Sequence, residues 1–151
     1  MYRIRLAHED DHETIVNFQI RMAKESEGLE LDHATVTDGV YAVLRDPQKG
    51  KYLVAVDDNT VIASMMITYE WSDWRNQHIF WLQSVYVLPL YRGKKVFRQM
   101  YEHVRDMVKN DHETAGIRLY VDVSNKHAIA VYNAVGMDGQ HYKTFEWMKN
   151  E

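Results

Sequence analysis

The chain has 151 residues and no cysteine, and its 18 Lys plus Arg against 22 Asp plus Glu leave a formal charge of −4 with histidines neutral. A chain of this length buries roughly 68–70% of the surface its unfolded form exposes, so a single domain over 1–151 needs neither disulfide nor metal to hold it together. The missing cysteines exclude a disulfide framework, a thiolate zinc site, an iron–sulfur cluster and a Cys nucleophile. The mild acidity argues against a nucleic-acid partner, because neutralising phosphates takes clustered Lys and Arg.

Alternation in Tyr2-Arg3-Ile4-Arg5-Leu6 predicts a short first strand. The next residues turn acidic where a signal peptide would need an apolar stretch. The longest mainly apolar run, Val61 to Ile67, is far below the ~18 residues of a membrane span. A cytoplasmic protein without a membrane partner is the expectation. Ile15, Phe18 and Met22 mark an amphipathic helix, with Asp10 and Glu13 as its capped start. Val36, Val40, Val43 and Leu44 mark a second helix, which Asp46-Pro47 ends. Three β-rich runs follow, at Tyr52 to Val56, Val61 to Tyr69 and Ile79 to Leu88, and read as an antiparallel meander.

Pro89 stops the last of these runs, and from Val96 the apolar spacing changes to Val96, Met100, Val104, Met107 and Val108, a helix face. A strand is predicted over Ile117 to Val123, then a short helix from about Lys126 to Ala134. Strand-like pieces lie near Met137 to Tyr142 and Thr144 to Met148. The strands on either side of the third helix should be parallel, since a helical crossover joins them.

The segment Val85-Tyr86-Val87-Leu88-Pro89-Leu90-Tyr91-Arg92-Gly93-Lys94-Lys95-Val96 takes a strand through a Gly- and Lys-containing turn into a helix. Such a turn offers backbone N–H groups and the positive end of the helix dipole to an anion. The segment resembles the central motif of the GCN5-related N-acetyltransferase (GNAT) family, a Val-x-Val-x-Pro strand followed by Tyr-Arg-Gly-x-Gly-x-Gly/Ala. A second stretch, Asn125-Lys126-His127-Ala128-Ile129-Ala130-Val131-Tyr132-Asn133-Ala134-Val135-Gly136-Met137, resembles the family's Asn and Ala-x-Tyr-x-x-x-Gly-Met/Phe pattern. The element order is similar across essentially the whole chain.

The resemblance implies a mixed α/β fold. Its centre is a twisted mixed sheet of about six to seven strands flanked by four helices, with the fourth and fifth strands parallel and splayed. It implies acetyl-CoA as cosubstrate, its acetyl and pantetheine arm on the backbone of Val85, Tyr86 and Val87. The pyrophosphate would lie on the amides of Arg92, Gly93, Lys94, Lys95, Val96, Phe97 and Arg98. Asn125 would touch the cofactor arm, and Tyr132 would act as general acid. These parts suit an amine attacking a thioester, which needs an N–H donor for the oxyanion, met by a backbone N–H near Val87, and a proton source beside the departing sulfur. A tyrosine, with a reference pKa of about 10, stays protonated at neutral pH.

Two features depart from the family pattern: Lys95 stands at the second glycine and Phe97 at the Gly/Ala position. Gln83 occupies the place where many relatives carry a Glu base, which leaves a water relay or Glu70, Asp73, His78 or Asp122. The loss of two glycines and of that carboxylate also fits a CoA-binding module without turnover. His8-Glu9-Asp10-Asp11-His12 matches the His-Glu-x-x-His pattern of zinc hydrolases, but lacks the apolar helix that motif needs; no metal is expected.

The acceptor is expected to be a small primary amine carrying positive charge. Glu27 and Glu30 lie in an acidic stretch between the first two helices, which borders the acceptor cleft in the resembling family. Glu70, Trp71, Asp73 and Trp74 cluster at a hairpin tip, where carboxylates and aromatic faces could hold an ammonium, with Gln83 on the adjacent strand. The exposed tryptophans equally leave a homodimer contact open.

Overall fold

The computed structural model describes residues 1–150. They form two compact units, Met1–Arg118 and a second that starts at Leu119. The first unit contains β1 (Arg3–Leu6), α1 (His12–Glu27), α2 (His33–Arg45), β2 (Lys51–Asp57), β3 (Thr60–Ser72), β4 (Gln77–Val87), α3 (Val96–Lys109) and β5 (Thr114–Arg118). The second contains α4 (Lys126–Ala134). The strands lie in chain order in one sheet, antiparallel from β1 to β4 and parallel between β4 and β5.

β2 shows why the sheet needs helices on both faces. Its residues Tyr52 to Val56 are all buried, the near-continuous apolar run of a strand covered on two sides. Tyr52, Val54 and Val56 pack with Ile15 and Val16 of α1 and Val40 of α2. Alternation turns Leu53 and Ala55 to the other face, and α3 contacts β1, β2 and β5 with Val96, Met100, Tyr101 and Val104 buried.

The cap of α1 is Asp11, one residue beyond the predicted Asp10. A single 3-10 turn, Glu9–Asp11, precedes the helix, and the buried Asp11 accepts hydrogen bonds from His8 N at 2.6 Å and from both Nη atoms of Arg5 at 2.7 and 3.1 Å. Asp32 caps α2 by accepting from Thr35 N at 2.9 Å.

The C-terminal half differs from expectation in two ways. β5 runs over Thr114–Arg118 rather than Ile117 to Val123. Asp111 makes a tight turn by accepting from Glu113 N and Thr114 Oγ1, and His78 N then donates to Glu113 O at 2.8 Å, so the parallel ladder begins early. The pieces Met137 to Tyr142 and Thr144 to Met148 form no strand among the described residues, so the sheet has five strands rather than six to seven. Their apolar alternation suits a strand, but a strand exists only by pairing with a neighbour, and here Phe145 and Trp147 are 92% and 85% exposed.

Two outcomes follow for stability. Gly50 has φ +150°, and a Cβ there would sit 2.5 Å from the backbone oxygen of Ile67; Gly50→Ala should cost about 1–3 kcal/mol, read as a lowered midpoint in thermal melts. Burial works against ionised Asp11, but the Arg5 and His8 hydrogen bonds outweigh it and hold the carboxyl below its ordinary range. A depressed carboxyl contributes stability above its unfolded pKa of about 3.9 and loses it as pH falls further. Urea melts should therefore show stability dropping below about pH 4, and Asp11→Asn should lose about 1–3 kcal/mol at pH 7 and flatten that drop.

Candidate active site

β4 carries one more residue than β3 where the two run past each other. Ser64 pairs with Tyr86 and Met66 with Gln83, so two steps on β3 meet three on β4. The extra residue is accommodated at Ser84, a non-glycine with φ +54°. This bulge bends β4 away from regular pairing. On its other side, β4 pairs with β5 only from His78 to Trp81, although β4 continues to Val87. From Leu82 to Val87 the backbone of β4 thus has no ladder partner in β5.

Alternation decides which groups face that open side. Leu88 N donates to Ile62 O at 2.9 Å, toward β3, so the N–H of Val87 is turned away from β3. Arg92 Nε donates to Val87 O at 3.0 Å. The end of β4 therefore presents a backbone donor beside a strand gap.

The chain leaves β4 through a 3-10 turn at Pro89–Tyr91 and reaches α3 through Arg92 to Lys95. Gly93 has φ +76° and nothing within 4 Å of where a Cβ would stand, so its backbone is open to approach while its conformation requires glycine. Lys95 adopts φ +63°, the left-handed conformation that explains why glycine is favoured there in the resembling pattern. The Arg92 amide donates to Pro89 O at 3.2 Å, so it belongs to the turn, and the open stretch of amides begins at Gly93 rather than at Arg92. Phe97 is half-buried with its ring stacked 6.1 Å from Tyr101 along α3. Lys94 Nζ lies 5.5 Å over the Tyr91 ring.

Glu25, which belongs to no motif of the sequence, ties this turn to α1. Its carboxylate accepts from Arg92 Nη2 at 2.7 Å and from Tyr86 OH at 2.9 Å. The Arg92 hydrogen bond holds it below the ordinary carboxylate range, with the Tyr86 hydroxyl adding to the effect. The buried Tyr86 ring lies 5.4 Å from the Arg92 guanidinium carbon. Only the acidity of the Glu25 to Asp32 stretch hinted at such a partner.

The acidic and aromatic residues expected around the acceptor do not gather in one place. Glu70, Trp71, Asp73 and Trp74 sit at the β3–β4 tip, where Ser72 pairs with Gln77, whereas Glu25 binds the opposite end of β4 at Tyr86. Glu70 accepts from Trp81 Nε1 at 2.7 Å and from Arg118 Nη1 at 2.6 Å, and the Trp81 bond first and Arg118 next keep it below its ordinary range, a poor setting for a base. Glu30 pairs with Lys24 at 3.1 Å, and Glu27 is exposed. Gln83 donates to Thr68 Oγ1 at 2.6 Å. His78 packs against Trp71 with ring centroids 5.0 Å apart.

In the second unit, Asn125 caps α4 by accepting from Ala128 N at 3.1 Å, which leaves its NH2 as the group it can offer. Asp122 accepts from Ser124 N and Oγ. Tyr132 is half-buried on α4, and burial pushes its phenol above the ordinary value of 10.0. The zinc-hydrolase pattern is not built as that motif requires: His8 is extended at φ −98°, ψ 164°, while His12 begins α1 and stacks on Tyr41 at 4.2 Å. The two imidazoles therefore do not share a helical face.

The chain is similar over its whole length to a possible acetyltransferase from Clostridium difficile 630, at 41% identity and TM-score 0.92, covering 100% of this chain and 99% of that one. A predicted acetyltransferase with acetyl-CoA from Clostridium acetobutylicum shares the fold at 20% identity and TM-score 0.74, covering 100% and 96%. AAC(6')-Iy in complex with the bisubstrate analogue CoA-S-monomethyl-acetylneamine shares it at 14% identity and TM-score 0.76, covering 99% of each chain. Among curated protein sequences none matches this chain. The model of the Acetyltransferase (GNAT) family matches residues 12–137. With the family model spanning most of the chain, and the strand gap, glycine turn and helix of its motif all formed, this protein belongs to the GNAT acetyltransferase family.

Proposed function

We propose that the protein transfers the acetyl group of acetyl-CoA to a primary amine by direct attack, within one domain over 1–151 and in the cytoplasm. The observation that carries this reading is the unpaired end of β4, which runs directly into the Gly93 turn and α3. A pantetheine arm is strand-like in its hydrogen bonding, and the stretch Val85, Tyr86 and Val87, with the Val87 N–H turned away from β3, suits it. The amides from Gly93 through Lys94, Lys95, Val96, Phe97 and Arg98 suit the pyrophosphate, aided by the α3 dipole.

The acceptor reaches the site as a small cationic amine and gives up a proton before it attacks. Its nitrogen then forms a bond to the acetyl carbon, and the carbonyl oxygen becomes an oxyanion that accepts from the Val87 N–H. The C–S bond breaks, its electron pair stays on sulfur, and the Tyr132 hydroxyl supplies the proton that completes the thiol. The amine's protons leave through water, because Gln83 cannot accept one and Glu70 is held ionised by Trp81 and Arg118. Asn125 steadies the cofactor arm through its NH2. Water returns the phenol proton between turnovers.

Acetyl-CoA and desulfo-CoA should each raise the thermal midpoint, since a ligand of the folded state stabilises by RT ln(1 + [L]/Kd). Gly93→Val should abolish that shift, because valine resists φ +76° and crowds the open backbone; a full shift in the variant would refute the assigned turn. Thiol release with an amine panel separates an enzyme from a silent CoA-binding module.

Tyr132→Phe should lower kcat by ~10²–10⁴-fold with little change in KM. Burial that raises the phenol above its ordinary value also predicts that kcat falls with a midpoint above pH 10 as the phenol ionises. A loss of activity between pH 8 and about 9.5 would assign the proton to another group.

A further inference from the structure

A cleft of about 300 Å³ opens between α1, α2 and the sheet, within the first unit, and reaches β4 at Ser84, the residue of the bulge and the neighbour of Val85. Its walls are apolar, built by Val36, Val40 and Val43 of α2 with Met66 of β3. No charged side chain among the described residues lines it. Gln19 of α1 lines it as well, is only 8% exposed, and has an amide nitrogen with no hydrogen-bond partner in the protein. A buried amide donor left unpaired costs about 1–3 kcal/mol, so this nitrogen gains from any acceptor atom that enters the cleft beside it.

Gly39 supplies an independent observation. It stands in the interior of α2, where glycine is about 1 kcal/mol worse than alanine. Its φ is ordinary and a Cβ would meet nothing within 4 Å, so neither conformation nor packing against the protein requires it. It lines the cleft. A side chain there would project into the space the cleft keeps open. The helix thus gives up stability at a position that lines the cleft.

We propose that this cleft binds the acceptor and selects a primary amine with an uncharged aliphatic body and a carbonyl oxygen, which accepts a hydrogen bond from the Gln19 amide NH2. The inference rests on the acetyl-transfer reading and names its substrate class. Apolar walls reward burial of the body, and an uncharged cleft favours the neutral, nucleophilic form of the amine over the ammonium. The buried Tyr52 phenol, pushed up to about 12 by burial, also lines the cleft and stays a neutral hydroxyl throughout the working range. Three of the carboxylates that might have held a polycation are engaged elsewhere, Glu25 with Arg92, Glu30 with Lys24 and Glu70 with Arg118.

The test compares leucinamide, isoamylamine, which is leucinamide without its carboxamide, and spermidine as acceptors, by thiol release from acetyl-CoA. The expected order of kcat/KM is leucinamide, then isoamylamine, then spermidine. Gln19→Leu should lower kcat/KM for leucinamide by ~10-fold or more while leaving that for isoamylamine unchanged. Gly39→Leu should depress both amines while leaving acetyl-CoA binding unchanged and the thermal midpoint no lower, since leucine is the better helix former. Preference for spermidine, or indifference to both variants, would overturn the cleft assignment and leave acetyl transfer standing. If no amine releases thiol, the acetyl-transfer reading fails, and calorimetry of leucinamide with the desulfo-CoA-loaded protein decides the cleft by itself. Binding that Gly39→Leu removes would support it, and absent binding would end it.

Discussion

The parting of β4 from β5 governs the rest of the molecule. A buried strand normally has both rows of its backbone groups paired, and leaving a row open is tolerated only where another group can take the hydrogen bonds. Here β5 stops at Arg118 opposite Trp81, the bulge at Ser84 shifts the register against β3, and β4 runs on to Val87 with one edge unsatisfied by the sheet. Everything assigned to the cosubstrate depends on that edge, because a strand-like ligand arm needs a row of backbone donors and acceptors in register. Filling the gap with a longer β5 would strengthen the sheet and close the site.

The turn that follows turns the same strand toward an anion. Its two left-handed residues, Gly93 and Lys95, turn the chain between the end of β4 and the first turn of α3. Lys95 shows that the geometry tolerates a side chain at the cost of backbone strain, whereas Gly93 keeps the surface bare. Arg92 does not join that surface through its amide. Its side chain instead bridges Val87 O and Glu25, so α1 and the turn share one hydrogen-bonded cluster that also fixes the Tyr86 hydroxyl. That exposed ion pair contributes little to stability by itself. Its value lies in joining the segment before α2 to the segment before α3.

The bulge also connects the cosubstrate edge to the cleft under α2, since Ser84 belongs to one and adjoins the other. A single inserted residue therefore both interrupts the ladder and turns a side chain toward the helices. The unpaired Gln19 nitrogen and the sterically unneeded Gly39 are local departures from stability that converge on that space. Such departures are expected at binding sites, where a polar group or a void serves a ligand and not the fold.

The sequence by itself determined the order of elements through β4 and α3, because apolar spacing of two or near 3.6 is dictated by which faces must be buried. It also determined the Gly93 turn and α4 with Asn125 and Tyr132, because those depend on residue types at fixed short spacings. What tertiary structure decided were matters of pairing between distant segments. Residues from Met137 to Met148 carry a strand-like pattern but form no ladder, since alternation shows a side chain's preference and not the presence of a neighbour. The start of β5, the pairing of Glu25 with Arg92, the engagement of Glu70 by Trp81 and Arg118, and the separation of the hairpin tip from the α1 end all depend on contacts across many residues. The cleft is of the same kind: Gln19, Gly39 and Ser84 are unremarkable in sequence and acquire meaning only when three elements bring them together. Local pattern fixes which way a side chain tends to face, and only the fold fixes what it then meets.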